Sequence, residues 1–448
     1  MFYLMIVVFI LGYTAIALEH PLRINKSASA LVLAVLMWVV FMFAGDQVLV
    51  NASGLHKYLE EVTGGTFASW ITHHELLHHL GEISEILFFL LGAMTIVELI
   101  DSHEGFRIIT DKIKTTKKIK LLWILAILTF FMSAALDNLT TSIVMIALLR
   151  KLIANKKDRW FFAGIVIIAA NSGGAWSPIG DVTTIMLWID GHVTTGTIIM
   201  KTIVPSLVSM AVPFAILSFM MKGDINRPAL PTGSSYINPT TAFERNFIFF
   251  LGVGCLLMVP VFKTVTHLPP YLGMLLGLGI LWITTEILHK KKNVEHKPML
   301  TVVGILRRVD TSTVLFFLGI LLAVAALQSA GHLELLANTL DKYVGNLYVI
   351  NIIIGVLSAI VDNVPLVAGA MGMYGETFVV DHYFWQMLAY CAGTGGSILI
   401  IGSAAGVAVM GMEKIDFIWY LRTITIWALI GYFAGAVTYW LMNTYLYT

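Results

Sequence analysis

The sequence predicts an all-α polytopic membrane protein with two inverted-topology repeats, about ten transmembrane helices, two re-entrant hairpins and two broken helices. Three observations support this fold class. Hydrophobic residues make up 58% of the 448 positions and charged residues 12%, with a mean hydropathy of +0.84. Apolar stretches of membrane-spanning length, roughly 17 to 25 residues, recur from end to end. The second half also repeats motifs of the first half. These features leave no room for a sizeable soluble domain.

The clear membrane spans are eight apolar stretches. The first begins at Met1, has no basic residue before it and no small-residue cleavage site after it, and is followed by Arg23 and Lys26. We therefore interpret it as a transmembrane helix with its N-terminus outside and not as a signal peptide. The eight predicted spans are 1–18, 28–44, 83–100, 198–221, 246–265, 272–288, 313–328 and 424–445.

Two longer apolar stretches predict re-entrant hairpins. The stretch 121–149 is too long for one comfortable span and too short for two spans with a turn. Basic clusters flank both of its ends, which places both ends on the cytoplasmic side, with the tip near Asp137 and Asn138. The stretch 344–374 has a similar length, and its mostly acidic flanks suit a hairpin that enters from the outer side.

Two further spans are interrupted by small and helix-breaking residues. The span 161–189 contains N-S-G-G-A-W-S-P-I-G-D-V-T-T, and the span 384–412 contains G-T-G-G-S-I-L-I-I-G-S. Broken backbone is tolerated at membrane depth only where it lines a cavity or a site. With these two broken helices, the predicted topology puts all but four of the 28 Lys and Arg on the cytoplasmic side, with both termini outside.

The two halves of the chain resemble each other in order and spacing. M-S-A-A-L-D-N-L-T at 132–140 resembles L-S-A-I-V-D-N-V-P at 357–365, and S-G-G-A-W-S-P-I-G at 172–180 resembles T-G-G-S-I-L-I-I-G at 394–402. We therefore predict a first inverted repeat over 1–222, a cytoplasmic linker over 223–245 and a second inverted repeat over 246–448. Inverted repeats that meet at discontinuous helices are typical of secondary transporters, with the binding site near the midplane.

The residues expected to carry the chemistry lie at the hairpin tips and in the broken helices. Carboxylates at membrane depth usually line an ion or proton pathway, although Asp137 and Asp362 are also suited to cap the helices that follow them. Asp181 adds a third carboxylate, with Ser403 at its place in the second half. A hard cation such as Na⁺ prefers oxygen ligands. The candidates are Asp137, Asn138, Thr140, Thr141, Asn171, Ser172, Asp181, Thr183, Thr184, Asp362, Asn363, Thr394 and Ser397.

Several carboxylates in one buried site favour protonation, whereas a bound cation favours their ionised form. Cations and protons would thus compete for the same oxygens, which is sufficient for cation/proton exchange when it is combined with alternating access. Cys255 and Cys391 both fall in apolar segments, so we expect no disulfide and no cysteine metal site. We expect no cofactor and no nucleic-acid partner; the partners are the lipid bilayer, small cations and protons.

The motifs quoted above, with L-G-E-I-S-E-I-L-F-F-L-L-G-A-M-T-I-V-E-L-I-D-S-H-E-G-F at 80–106, resemble the NhaD-type Na⁺/H⁺ antiporters of the ion transporter superfamily over nearly the whole chain. The resemblance implies exchange of Na⁺ or Li⁺ for H⁺, a dimerisation scaffold, a transport domain that moves as an elevator, and a bacterial inner-membrane location. It also implies that Asp310 matches a further functional Asp. The ion-site residues that it implies are Asp137, Asn138, Asn171, Asp181, Thr183, Thr184, Asp362, Asn363 and Ser397.

Two alternatives remain open at this point. The same fold could carry another ion, an oxyanion or a dicarboxylate. The stretch H-H-E-L-L-H-H at 73–79 also contains H-E-x-x-H, the zinc-protease pattern of His74, Glu75 and His78. This match lies in a predicted outer segment, 45–82, away from every duplicated motif. We therefore expect no zinc site there, and interpret the cluster as a solvated or dimer-facing helix that can tune pH dependence.

Overall fold

The computed structural model is all-helical over the residues that it describes, which are 2–45, 53–110, 112–228, 240–290, 300–360 and 362–446. The predicted linker over 223–245 lies partly outside these residues, and so does Val361 in the second predicted hairpin. The described helices are α1 Phe2–Ala17, α2 Glu19–Leu22, α3 Lys26–Ala44, α4 Ser53–Glu61, α5 Phe67–Trp70, α6 Leu76–Ser102, α7 Arg107–Thr110, α8 Lys118–Leu136, α9 Asn138–Leu152, α10 Lys156–Gly174, α11 Val182–Ile189, α12 Thr195–Met220, α13 Ala242–Thr266, α14 Pro270–Leu288, α15 Val302–Leu306, α16 Thr311–Ser329, α17 His332–Tyr343, α18 Leu347–Leu357, α19 Asn363–Tyr374, α20 Tyr383–Gly395, α21 Ala404–Glu413, α22 Phe417–Thr423 and α23 Thr425–Tyr445.

Among these residues, eight helical stretches are long and apolar enough to cross a membrane, and shorter apolar helices accompany them. Seven of the eight cover predicted spans, and the eighth is α8, the first arm of the first predicted hairpin. The prediction of an all-α polytopic membrane protein is therefore confirmed. The predicted first span is the 16-residue helix α1, which is shorter than a comfortable crossing.

One helix extends beyond its predicted span. The predicted outer segment over 45–82 is not separate from the next span, because residues 67–102 form one continuous helical stretch that includes the π-helical turn Ile71–Glu75. Hydropathy marks only the apolar part of a helix. It does not detect the polar turns before it, in which His and Glu side chains pair along the helix.

The described residues divide into two compact units, and each unit contains segments from both halves of the chain. The first unit comprises Met1–Phe88, Asp310–Ile350 and Val364–Val379. Its centre is the crossing of α3 and α16, where a Cβ added to Gly319 would lie 2.6 Å from the backbone of Ala30. At the same crossing the indole N–H of Trp38 donates to the carbonyl of Leu322 over 2.9 Å. A small residue thus allows the two backbones to approach closely, as is common in membrane helices.

The second unit comprises Phe89–Val309, Asn351–Asn363 and Val380–Thr448. Its core is the pair α12 and α23, together with α8, α9, α10, α20 and α21. The two halves of the chain form matching contacts here. Ser133 Oγ donates to the carbonyl of Ala170 over 2.6 Å, and the equivalent Ser358 Oγ donates to the carbonyl of Ala392 over 2.8 Å. The repeated motifs therefore form equivalent local structures.

Both broken helices are interrupted in the same way. In the first, α10 ends at Gly174 and α11 begins at Val182; in the second, α20 ends at Gly395 and α21 begins at Ala404. At each break two glycines approach so closely that side chains would not fit. A Cβ on Gly180 would lie 2.7 Å from the carbonyl oxygen of Gly174, and a Cβ on Gly396 would lie 2.9 Å from that of Gly402. These breaks position Asp181 and Ser403 as the N-caps of α11 and α21.

Candidate functional site

The candidate site centres on the side chain of Asp181, which is 1% exposed. Its Oδ1 accepts hydrogen bonds from the backbone N–H of Thr183 at 2.9 Å and from the Thr183 hydroxyl at 3.0 Å. The Thr184 hydroxyl contacts only the backbone of Asp181, because it donates to the Asp181 carbonyl and accepts from the Asp181 N–H, whereas the Thr184 backbone N–H donates to the carboxylate. The Thr183 hydroxyl therefore acts on the carboxylate, whereas the Thr184 hydroxyl fixes the turn that presents it.

Two buried asparagine amides also donate to this carboxylate. Asn138 Nδ2 lies 2.5 Å from Oδ2, and Asn363 Nδ2 lies 3.3 Å from Oδ1 and 3.4 Å from Oδ2. Each asparagine follows a hairpin-tip aspartate, one in each half of the sequence. Asp181 is thus the point at which both predicted hairpin tips meet the first broken helix. Such donors stabilise an ionised carboxylate that burial would otherwise disfavour.

Asn171, which is fully buried in α10, connects this cluster to the second broken helix. Its Oδ1 accepts from Asn138 Nδ2 at 3.0 Å. Its Nδ2 donates to the hydroxyls of Ser397 and Ser403, both at 3.0 Å. One amide therefore joins polar groups from both halves of the chain, which is the meeting of repeats that the sequence predicts.

Asp137 lies between α8 and α9 with a φ of +77°, a region that residues with a side chain rarely adopt. Its carboxylate accepts from the backbone N–H and the hydroxyl of Thr140, both at 2.8 Å, so it caps α9. Backbone strain at a polar position inside a membrane protein is typical of functional sites. The Asp137 side chain is half-buried beside the cluster, so the capping role leaves it in contact distance of the polar groups at this tip.

Three carboxylates belong to this cluster. Asp181 interacts electrostatically with both Asp137 and Asp362. Asp362 is half-buried and directly precedes α19. Three like charges in a low-dielectric site are mutually destabilising unless protons or a cation neutralise them. The arrangement can therefore hold either protons or a cation on the same oxygens.

A small cavity of about 10 Å³ adjoins Asp137. This volume is close to the space that one water molecule needs. Asp137 is the only polar residue of its lining, and the other lining residues are Phe89, Leu90, Ala93, Ala135, Leu136, Ile179, Ile185, Leu256 and Met274. Asp137 thus adjoins a cavity with otherwise apolar walls.

Several other predicted ligands lie elsewhere or have other contacts. The Ser172 hydroxyl bonds to Ser209 Oγ at 2.7 Å, and the Thr394 hydroxyl donates to the Tyr390 carbonyl one helical turn earlier at 2.6 Å. Thr141 is buried and its hydroxyl has no hydrogen-bond partner among the described residues, so it has unused oxygen capacity. Asp310 belongs to the first unit, where it caps α16 through Thr313.

Ser403 was missing from the predicted ligands, although it bonds directly to Asn171. The signal that could have identified it is the repeat itself, because Ser403 occupies the place of Asp181 in the second half. Its hydroxyl also accepts from the Gly406 N–H at 3.2 Å and so caps α21.

The H-E-L-L-H motif lies in the first unit. His74 contacts its neighbour Glu75 at 3.2 Å, whereas His78 contacts Glu82 at 3.1 Å, and both rings are exposed. His79 is mostly buried and contacts Glu82 at 3.2 Å and the Ser329 hydroxyl at 3.1 Å. In the part of the chain that the structure describes, no three His, Cys, Asp or Glu side chains converge as metal ligands would.

The chain is similar in sequence to known transporters over most of its length. The family model described as citrate transporter matches residues 5–385. Sodium/proton antiporter 2 of Arabidopsis thaliana is 45% identical over 97% of this chain and 98% of its own length. Sodium/proton antiporter 1 of the same plant is 47% identical over 97% of this chain and 71% of its own length. The Na⁺/H⁺ antiporter NhaD of Alkalimonas amylolytica is 31% identical over 97% of this chain and 90% of its own length.

Proposed function

Because this chain belongs to the NhaD-type sodium/proton antiporters, within the family that the citrate transporter model describes, we propose that it exchanges Na⁺ or Li⁺ for H⁺ across its membrane. It is a secondary transporter and not an enzyme. The observation that carries the proposal is the buried carboxylate of Asp181, to which Asn138 and Asn363, the residues that follow the tip aspartates Asp137 and Asp362, both donate hydrogen bonds.

The proposed mechanism is competition for one set of oxygens. With protons bound, the carboxylates are neutral and their mutual repulsion disappears. With Na⁺ bound, the cation favours the ionised form and the protons leave. The oxygens assigned to this role come from residues that share the cluster. They belong to Asp137, Asn138, Asn171, Asp181, Thr183, Asp362, Asn363 and Ser397, with Thr184 and Thr140 holding the turn and the tip aspartate.

Ser403 and Thr141 extend this assignment. Ser403 is bonded to Asn171, and the Thr141 hydroxyl is buried close to the Asp137 tip without a partner among the described residues. A hydroxyl without a hydrogen bond is costly to bury, so a cation ligand at this position would recover part of that cost.

Transport also requires that the cluster opens alternately to each side. We propose elevator-type alternating access, because hairpins and broken helices from two repeats meet at Asp181 and secondary transporters commonly place their sites in this way. Substituted-cysteine accessibility at position 140 tests this step. A thiol reagent should reach it from opposite sides of the membrane with and without Na⁺, whereas access from one side under all conditions would contradict it.

The proposed orientation in the membrane follows from the distribution of Lys and Arg among the loops. The positive-inside rule puts both termini outside, and a homodimer is the expected assembly. The relatives that match come from a plant as well as from bacteria, so the bacterial inner membrane remains a prediction. Light scattering of the purified protein in detergent, together with accessibility of tags at each terminus, tests these assignments.

The experiment that tests the function is a pH-gradient assay in proteoliposomes, with Na⁺, Li⁺ or K⁺ added to the wild type and to Asp137→Asn, Asp181→Asn and Asp362→Asn. We expect Na⁺ and Li⁺ to collapse the gradient for the wild type but not for the three variants of the cluster. Asp190→Asn is the matched control, since Asp190 is an exposed aspartate at the other end of α11. Absence of any cation-coupled proton movement would contradict the proposal.

The rival assignment keeps the fold and changes the cargo to an oxyanion or a dicarboxylate. The description of the family model as citrate transporter is the observation that favours it. Uptake of succinate or citrate that persists in Asp362→Asn would support this rival. The cluster of three carboxylates opposes it, because it would repel an anion.

A further inference from the structure

A second group of buried titratable side chains lies at the meeting point of three helix ends in the second unit. His103 directly follows α6, His289 is the C-cap of α14, and Glu244 lies in the first turn of α13. Both imidazoles are 0% exposed and Glu244 is 8% exposed. None of these residues belongs to the cluster around Asp181, and the proposed transport mechanism does not use them.

The two rings are joined directly. His103 Nε2 lies 2.8 Å from His289 Nε2, and the ring centroids are 5.1 Å apart. A contact of this length between two ring nitrogens needs one proton between them, donated by one ring and accepted by the other. If both nitrogens carried a proton, the two N–H groups would repel each other. The contact between the two Nε2 atoms therefore contains one proton.

The remaining contacts decide where these protons lie. His103 Nδ1 is 2.7 Å from the carbonyl of Leu99, which can only accept, so Nδ1 carries a proton. A neutral His103 then accepts at Nε2, and His289 donates from its Nε2. His289 Nδ1 faces Glu244 Oε1 at 3.8 Å, so an additional proton on this nitrogen lies beside a carboxylate. The geometry can thus take up a single extra proton without breaking the contact between the rings.

The surroundings favour that extra proton. Both histidines lie at helix C-termini, where backbone carbonyls stabilise a positive charge. Glu244 supplies a nearby carboxylate, which is itself held by the N–H of Thr241 at 2.7 Å. Without the additional proton, this mostly buried carboxylate faces the unprotonated nitrogen of His289.

We propose that His103, His289 and Glu244 form a proton-binding site separate from the transport site, and that the bound proton holds the ends of α6, α13 and α14 together. The ligand is one additional proton on His289 Nδ1, balanced by the Glu244 carboxylate, while the two rings stay joined through their Nε2 atoms. Loss of this proton at alkaline pH loosens the three helix ends. In the topology proposed above, this end of the helices faces the cytoplasm, so the site responds to cytoplasmic pH.

Other charges near the site are already engaged. On the chain that follows α6, Glu104 pairs with Arg107 at 2.8 Å. Arg308 donates to the Ser102 hydroxyl at 3.4 Å and interacts electrostatically with Asp101. On α13, the exposed Arg245 contacts Asn246 at 3.4 Å. Imidazole is the side chain whose ordinary pKa lies nearest to neutral pH, so the proposal assigns the change of charge in this group to the two histidines.

The direct test is thermal unfolding of the purified protein between pH 6 and pH 9. The folded protein binds the extra proton because Glu244 balances it, so stability is present at low pH and is lost as the pH rises and the proton dissociates. We expect the wild-type Tm to fall by about 2 to 4 °C across this step. His289→Gln should remove the step, and Glu244→Gln should move it to lower pH.

The matched control is His267→Asn, an exposed histidine at the C-terminus of α13, which should keep the wild-type step. A wild-type profile without a step, or the same step in His289→Gln, would overturn the proposal. If a variant fails to fold, hydrogen exchange of the wild-type protein tests the proposal without any variant. After correction for intrinsic rates, the amides of 99–106 and 285–290 should exchange faster at pH 9 than at pH 6, and unchanged protection would contradict the site.

The effect on transport rests on the proposed function and is measured separately. We expect His289→Gln to shift the pH of half-maximal Na⁺-dependent proton movement by about one unit, while Na⁺ selectivity stays unchanged. If the unfolding step exists but no cation moves protons, the proton site stands and the proposed function fails. If transport is normal and the unfolding step is missing, the proposed function stands and the proton site fails.

Discussion

Asn138 and Asp181, 43 positions apart in the sequence, lie within 2.5 Å of each other, with the amide of the first donating to the carboxylate of the second. This hydrogen bond joins the tip between α8 and α9 to the start of α11. Because the same amide also donates to Asn171, the tip, the broken helix and α10 are held by one side chain. Cation binding at Asp181 should therefore depend strongly on Asn138.

We predict that Asn138→Ala raises the Na⁺ concentration for half-maximal activity by about 10-fold or more. A hydrogen bond to a charged group contributes about 1.5 to 3 kcal/mol, and its loss leaves Asp181 less well held. Na⁺-dependent quenching in proteoliposomes measures the change. Asn346→Ala, which removes an exposed helix cap in the first unit, is the control and should transport normally. Wild-type affinity in Asn138→Ala would count against the site.

The apparent affinity for Na⁺ should fall as the pH falls. In the proposed mechanism, protons and Na⁺ compete for the Asp137, Asp181 and Asp362 oxygens, so we expect each competing proton to raise the half-saturating Na⁺ concentration by up to about tenfold per pH unit at low pH. Initial rates at several Na⁺ concentrations and at fixed pH separate this effect from a change in maximal rate. A half-saturating concentration that stays constant while only the maximal rate changes would argue against shared oxygens.

Thr140→Val tests the support of the tip carboxylate. The variant removes the 2.8 Å hydroxyl contact to Asp137 but keeps the backbone contact. The ionised carboxylate loses about 1 kcal/mol of stabilisation, so we expect the apparent Na⁺ affinity to fall by about fivefold, with the largest effect at low pH. Thr438→Val in α23 is the control, because its hydroxyl only bonds back to the Ala434 carbonyl. Equal effects of both variants would point to general destabilisation.

Stability should depend on a buried ion pair at the ends of α9 and α21. The Glu413 side chain is 1% exposed and accepts from Arg159 at 2.6 Å and from Arg150 at 2.7 Å. Arg159 is the more buried of the two arginines and contributes more. We expect Glu413→Ala to lower the free energy of unfolding by about 2 to 4 kcal/mol, discounted because Arg150 is half exposed.

Differential scanning fluorimetry in detergent measures this change as a lower Tm. The control is Asp158→Ala, which removes the partly exposed pair with Lys118 and should cost about 1 kcal/mol or less. If Glu413→Ala and Asp158→Ala lower the Tm by the same amount, the prediction that the buried ion pair contributes more to stability is wrong.

His78→Ala should leave both transport and metal content unchanged. The His78 ring is exposed and contacts Glu82, and its neighbour His74 contacts a different carboxylate, Glu75. Elemental analysis of the purified wild type and of the variant tests this prediction together with the pH-gradient assay. Zinc bound one-to-one in the wild type and lost in His78→Ala would revive the protease hypothesis.

The sequence predicts the polar cluster well but its internal connections poorly. The repeat placed Asp137, Asp362 and Asp181 in equivalent or facing segments, because intramembrane charge and broken helices are visible in a single sequence. Which hydroxyl bonds to which amide depends on packing between helices that are distant along the chain. Ser172 and Ser403 illustrate this limit: the first contacts Ser209 and the second contacts Asn171.

Helix boundaries were less predictable for a related reason. Hydropathy located the apolar middle of α6 but not its continuation through Ile71–Glu75, because polar turns beyond the membrane core have no hydropathy signal. The same limit hid the meeting of His103 and His289, which come from stretches 186 positions apart. Only the three-dimensional arrangement brings such residues together.

Asp181 and Ser403 occupy equivalent positions in the two halves, and the difference between them has an evolutionary consequence. After a gene duplication, two identical halves would carry the same side chain at this place, and here they differ by one charge. Helices α9, α11 and α21 all begin near the cluster, and the backbone N–H groups at such termini attract anions. The scaffold alone thus suits an anion, and the acidic side chains reverse its preference. If the proposed site is correct, substitutions at Asp137, Asp181 and Asp362 would be enough to change the charge of the preferred cargo without changing the fold.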